Sequence, residues 1–201
     1  MITVMIADDE NLIRDALGSL LSLEEDIEVI AHAATGNEAL AQAAKHRPDV
    51  ALLDLQMPAP DGIEVARALA DSLPDCACVV VTSHGLPGHL KNALTVGVRG
   101  FLPKTVSSTT LAQVVRTVAA GGRYVDPELA ADAIGAGDSP LTAREADVLA
   151  MADDGRPVDQ IAQRVSLSPG TVRNYLSAAV TKLGVTNRHE AVRLARQRGW
   201  I

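Results

Sequence analysis

Residues 50–58 read V-A-L-L-D-L-Q-M-P, and this stretch decides the fold. Its four consecutive apolar residues fit a strand buried on both faces, as in a parallel sheet covered by helices. The run ends on Asp54, at the carboxyl end of the strand, where such sheets place their ligand sites. A second apolar run, residues 2–7, ends on two more acids, Asp8 and Asp9. If the two strands are parallel neighbours, three carboxylates meet at one sheet edge. Anions that close repel one another unless a cation is present, so the cluster calls for a divalent metal with oxygen ligands, and magnesium is the natural candidate.

Outward from this stretch the pattern alternates. Residues 10–23 place Leu12, Ala16, Leu17, Leu20 and Leu21 at helical spacing. A short strand at 27–31 and an Ala-rich helix at 38–45 follow, and Arg47-Pro48-Asp49 turns the chain into the Asp54 strand. Beyond it come a helix at 62–73, a Val-rich strand at 77–82, a helix at 88–96, a short strand at 100–102 and a last helix at 107–120. Five strands alternating with five helices predict an α/β doubly wound, five-stranded parallel sheet with right-handed crossovers. In that fold Asp8, Asp9, Asp54, Thr82 and Lys104 converge at the carboxyl ends of the strands. Asp54 is then placed to act as a nucleophile toward a phosphoryl group, giving an acyl phosphate. Thr82 offers a hydroxyl and Lys104 a compact cation for the phosphoryl oxygens.

Charge divides the 201 residues in two. Residues 1–140 hold 9 Lys+Arg against 19 Asp+Glu, whereas residues 141–201 hold 9 against 6, so an acidic overall balance of −7 hides a basic tail. The expected division is 1–122, a linker at 123–140 with a short helix over 127–134, and a second domain at 141–201. There is no 18-residue apolar run and no leader-like N-terminus, so membrane insertion is not expected and a cytoplasmic protein is. Cys76 and Cys78 lack the further ligands of a zinc site and read as reduced thiols.

In the second domain Thr142 and Glu145 form a capping box for a helix through Val148, Leu149 and Ala152. A short helix at 158–165, a turn at 166–168 and a helix at 169–183, opened by Ser168 and Pro169, make a helix-turn-helix. Asn187 and Glu190 cap a final amphipathic helix. On the long helix Val172, Leu176, Ala179, Val180 and Leu183 supply the core side. Thr171, Arg173, Asn174, Ser177 and Lys182 are left for water or a ligand. The N-terminal half of such a helix reads the major groove of duplex DNA: Arg173 suits guanine and Asn174 adenine, while Lys182 and Arg188 suit phosphates. A charge of only +3 keeps a second reading open, a phosphorelay or adaptor protein whose second domain binds protein. An enzyme is not expected, because no substrate pocket or second acid–base pair is visible.

The first 120 residues resemble the receiver domain of two-component response regulators. The matching pieces are I-A-D-D-E, the D-L-Q-M-P-x-x-D-G run at 54–62, V-V-V-T-S ending at Ser83, and G-F-L-P-K at 100–104. The resemblance implies a flavodoxin-like fold and phosphorylation of Asp54 by a sensor histidine kinase. It also implies Mg²⁺ held by Asp8, Asp9, Asp54 and the Gln56 main-chain carbonyl, Thr82 and Lys104 as the switch pair, and Phe101 as the aromatic that turns inward with Thr82. Gln56 and His84 would tune the phosphoryl lifetime. L-T-x-R-E, S-x-G-T-V-R-N-Y-L, K-L-G-V and N-R-x-E-A-V make residues 141–201 similar to the LuxR-type DNA-binding domain. The family's usual small polar or basic residues give way to Pro157 and Val158 in the turn at 154–159, which puts a phosphate contact there in doubt.

Together these parts resemble the NarL/FixJ response regulators, bacterial transcription factors, and most of all their DesR-like branch, which implies control of membrane-lipid genes of the desaturase type. The partners so implied are the kinase, operator half-sites, RNA polymerase and a second copy of the chain after phosphorylation. The candidate dimer surface is the apolar surplus on the helices at 10–23 and 107–120, exemplified by Leu17, Val115 and Val118.

Overall fold

The computed structural model of the chain describes residues 1–58, 60–83, 85–137, 139–152 and 155–201. It divides into two compact units, Met1–Gly85 with Leu90–Ala130 and Leu86–His89 with Ala131–Ile201.

As far as Gly135 the chain alternates strand and helix, all of it in the first unit except residues 86–89 and 131–135. The elements are β1 (Ile2–Ala7), α1 (Asn11–Leu21), β2 (Ile27–Ala33), α2 (Gly36–His46), β3 (Val50–Asp54), α3 (Gly62–Ser72), β4 (Ala77–Thr82), α4 (Pro87–Thr95), β5 (Gly100–Pro103) and α5 (Ser108–Ala119). A sixth strand, β6 (Tyr124–Val125), and α6 (Pro127–Gly135) follow. All neighbouring strands are parallel, in the order β2-β1-β3-β4-β5-β6. Every residue of β3 and β4 is buried, as their unbroken apolar runs require, whereas β2 at the edge alternates. Side chains from β1, β3 and β4 pack with Leu111, Val114, Val115 and Val118 of α5 and Leu21 of α1 into one core.

Two departures from the sequence reading stand out. The sheet has six strands, because two residues of the expected linker pair with β5. Tyr124 N–H donates to Arg99 O and Asp126 N–H to Phe101 O, both at 2.9 Å. The Asp126 carboxylate then accepts from the Glu128 and Leu129 N–H groups and opens α6. A two-residue strand is too short to leave a period in the sequence. The second departure concerns the dimer candidates. Val115 and Val118 are fully buried in the core and Leu17 packs against it, so the two valines cannot meet a second copy. Exposing either would forfeit roughly 1.5–3 kcal/mol of burial. On α1 and at its end, apolar residues do face outward: Leu12 at 81% exposure, Ala16, Leu20, and Leu23 at 79%. Their spacing puts them in one stripe.

The second unit is helical: α7 (Ala143–Ala150), α8 (Val158–Val165), α9 (Pro169–Leu183) and α10 (Arg188–Arg198). Each start is set by local chemistry. Thr142 and Glu145 form the capping box of α7, and Ser168 accepts the Thr171 N–H ahead of Pro169 at the start of α9. Asn187 accepts the Glu190 N–H, but the Glu190 carboxylate reaches back to Thr186, so the final box closes one residue early. Ser166 takes the left-handed conformation (φ 54°) that turns α8 into α9. Leu149, Ile161, Val172, Leu176, Ala179 and Val192 form the core, and Trp200 packs onto it.

Candidate functional site

The register of the sheet brings the acids together. Ala7 lies beside Leu53, so Asp8 emerges next to Asp54, and Asp54 lies beside Val81, one residue short of Thr82. Carboxylate oxygens of Asp8, Asp9 and Asp54 all fall within 4.8 Å of one another. Asp8, Asp54 and Thr82 are buried, and Asp9 is exposed. Lys104 is brought in by its own backbone, whose N–H donates to Thr82 O at 2.9 Å. Its Nζ then sits 2.8 Å from Asp8 Oδ2, 3.0 Å from Glu10 Oε1 and 3.3 Å from Asp54 Oδ2. The other Asp8 oxygen accepts the Glu10 N–H at 2.9 Å, and Arg14 donates to the Asp8 carbonyl at 2.7 Å. Gly62 opens α3 against the Asp54 backbone, where a Cβ would collide with the Asp54 carbonyl oxygen.

Electrostatics follow from this crowding. Burial pushes the Asp54 carboxyl above the usual range and Asp8 adds to the push, while Lys104 opposes both. Burial works against the Lys104 ammonium, but its hydrogen bonds to Asp8 and Glu10 and the charge of Asp54 outweigh that and hold it protonated. Asp9, Glu10, Asp54, Gln56, Ser83 and Lys104 line a cleft of ≈ 390 Å³. The Gln56 side chain is exposed, and Phe101 is buried in β5. His84 and Asp154 lie outside the described residues. An oxygen-only donor set of this kind suits a hard cation such as Mg²⁺ better than a soft one.

In the helical unit, Arg173, Asn174 and Ser177 project from the exposed side of α9. Thr171 is half-buried, its hydroxyl sharing a hydrogen bond with Ser168. Two of the expected cations are engaged within the fold. Lys182 Nζ lies 2.7 Å from Glu145 Oε2, tying α9 to the capping box of α7. Arg188 donates to the carbonyls of Arg156 and Gly155, at 3.2 and 3.3 Å.

Known families match both halves. The response regulator receiver domain matches residues 4–116, and the bacterial regulatory proteins of the luxR family match residues 139–195. The chain is a LuxR-type response regulator. It is similar to the transcriptional regulatory protein DesR of Bacillus subtilis (strain 168), 40% identical over 201 residues and the whole of both chains. It is also similar to the uncharacterized transcriptional regulatory protein YvfU of the same strain, 38% identical with the same coverage. Among solved structures, the response regulator ChrA of a heme-sensing two-component system is 32% identical, covers 100% of this chain and 98% of its own, and has a TM-score of 0.60. This response regulator therefore pairs a parallel α/β receiver with a DNA-binding LuxR-type helical domain. Among the described residues no helix is long and apolar enough to cross a membrane, and Cys76 and Cys78 are buried and unlinked.

Sequence reasoning missed the partners that complete each site. Glu10 follows the acidic pair directly, and that adjacency was a signal for a third carboxylate at Lys104. The Glu145–Lys182 pair spans 37 positions and leaves no local trace.

Proposed function

We propose that Asp54 is the phosphoacceptor of a cytoplasmic two-component transcription regulator, that a sensor histidine kinase is the donor, and that the phosphorylated chain dimerises and binds operator half-sites in duplex DNA. The observation that carries this reading is Lys104, held between Asp8 and Asp54 at the carboxyl end of β3. In the transfer, an Asp54 carboxylate oxygen bonds to phosphorus while the bond from phosphorus to the donor breaks, its electron pair leaving with the donor. Lys104 offers N–H donors to the phosphoryl oxygens, and Thr82 supplies the hydroxyl that follows the phosphoryl group, with Phe101 turning with it. Asp8, Asp9, Asp54 and the Gln56 carbonyl would hold Mg²⁺, which when bound neutralises charge on the acids and the moving group.

The chain itself performs no turnover of an external substrate beyond losing its own phosphoryl group. Residues 1–122 act as receiver, 123–140 as connector and 141–201 as DNA reader. The exposed stripe of Leu12, Ala16, Leu20 and Leu23 replaces the buried valines as the surface for the second copy. Arg173 and Asn174 read bases, with Thr171, Ser177, Lys182 and Arg188 around them, and RNA polymerase is a further partner. The resemblance to the DesR-like branch supports membrane-lipid genes as targets.

The test is DNA occupancy in the source cell for the wild type and Asp54→Ala. Sites that vanish in the variant support the phosphorylation switch. Sites that persist refute dependence on Asp54, and absence of both from DNA under activating conditions favours the adaptor reading.

A further inference from the structure

An ammonium has three N–H groups, and in the resting chain Lys104 faces three carboxylates, of Asp8, Glu10 and Asp54. The three are not equivalent. The Asp8 side chain is buried and its second oxygen is fixed by the Glu10 N–H. The Asp54 side chain is buried at the end of β3. The Glu10 side chain is 59% exposed. Glu10 is also the residue preceding α1, where a side chain ordinarily caps the helix; its side chain makes no cap hydrogen bond and reaches across to Lys104, 94 positions away. Its carboxylate therefore has no local duty that explains its position. It stands in the lining of the cleft that holds Asp54.

We propose that Glu10 is a positioning residue for phosphorylation: it occupies one donor of Lys104 in the resting chain and screens the cleft against anionic phosphodonors, thereby slowing the loading of Asp54. The inference rests on the reading of Asp54 as phosphoacceptor. As the phosphoryl group of the donor approaches, with Asp54 still a carboxylate, one Lys104 N–H must exchange a carboxylate for a phosphoryl oxygen; when the bond to phosphorus forms, the charge of Asp54 passes to the phosphoryl group. On that approach Glu10 gives way at least cost, since its carboxylate returns to water while Asp8 or the still-ionised Asp54 would lose its cation in a buried place. No proton changes owner in this exchange.

The full chain, incubated with acetyl phosphate and Mg²⁺, tests this by phosphoprotein mass spectrometry across donor concentration. Glu10→Gln removes the charge and is expected to raise the second-order rate of Asp54 loading two- to fivefold, mainly through a lower half-saturating donor concentration. Glu10→Asp keeps the charge on a shorter arm and is expected to raise the limiting rate while leaving that concentration near the wild-type value. A readout without metal or donor accompanies these: reductive methylation of Lys104 is expected to run faster in both variants, with other lysines unchanged. Wild-type loading with no change in either variant, or slower loading, overturns the role of Glu10 alone, as does unchanged Lys104 labelling. If the wild type takes up phosphoryl groups but not on Asp54, the underlying reading falls and this inference with it.

Discussion

Lys104 and Lys182 each meet a carboxylate at nearly the same distance, 2.8 Å from Asp8 and 2.7 Å from Glu145, yet their surroundings differ. Lys104 is 8% exposed and faces three acids, with Asp9 adding a fourth to the cluster. That site is over-supplied with negative charge and open to a cleft, so it invites a cation and can exchange partners. Lys182 is 38% exposed and faces one acid whose other contacts close a helix cap. That pair is balanced and fastens two helices. An ion pair's role is thus read from the charge left over around it, not from its length.

The largest expected effect tests the first half of this contrast. Lys104→Met leaves Asp8 and Asp54 buried without their cation, so urea unfolding of the receiver in metal-free buffer should show a loss of about 3–5 kcal/mol. Millimolar Mg²⁺ should restore more stability in the variant than it adds to the wild type. Equal stability of the two proteins in chelator would show that Lys104 neutralises nothing.

Next in size is Arg173→Ala, which should weaken operator binding by about 1–3 kcal/mol and flatten base preference at one position, as titrations with mutated duplexes would reveal. An equal loss on every sequence would make Arg173 a phosphate contact.

Lys182→Met should cost about 1–2 kcal/mol in the helical unit, because Glu145 stays buried while losing its cation. Trp200, the sole tryptophan, packs on that core and reports its unfolding by fluorescence. The Lys182 hydrogen bond, with the Thr142 N–H, holds the Glu145 carboxyl below its ordinary range. A depressed folded-state value means the contribution is complete above the ordinary glutamate pKa of about 4.3 and disappears as pH falls through the depressed one. The wild type should therefore lose stability in acid more steeply than Glu145→Gln. Parallel pH curves would remove the pair from the stability of the domain.

The smallest effect on stability should come from Leu12→Ser, within about 0.5 kcal/mol because the side chain is exposed. Light scattering of the phosphorylated variant should nevertheless show it monomeric where the wild type is dimeric. Dimers of the variant at the same concentration would exclude the α1 stripe.

Legibility followed the range of the interactions. Strands buried on both faces carry unbroken apolar runs, so β3 and β4 could be placed to the residue, and acids ending those runs exposed the site. Caps at Thr142 and Ser168 were equally plain, being local chemistry. Val115 and Val118 were misplaced because an apolar helix face does not say how much of itself the sheet covers; their burial was visible only against β1, β3 and β4. Lys182 and Arg188 looked like free cations because their partners, Glu145 and the carbonyls of residues 155 and 156, are distant in sequence.

The short strand β6 governs how this protein can be taken apart. A fragment ending at residue 122 would strip the outer edge of β5, baring backbone groups of Arg99 and Phe101 that Tyr124 and Asp126 now occupy. Bare sheet edges recruit other chains. Such a fragment should aggregate, whereas one ending after α6, at residue 136, should stay dispersed.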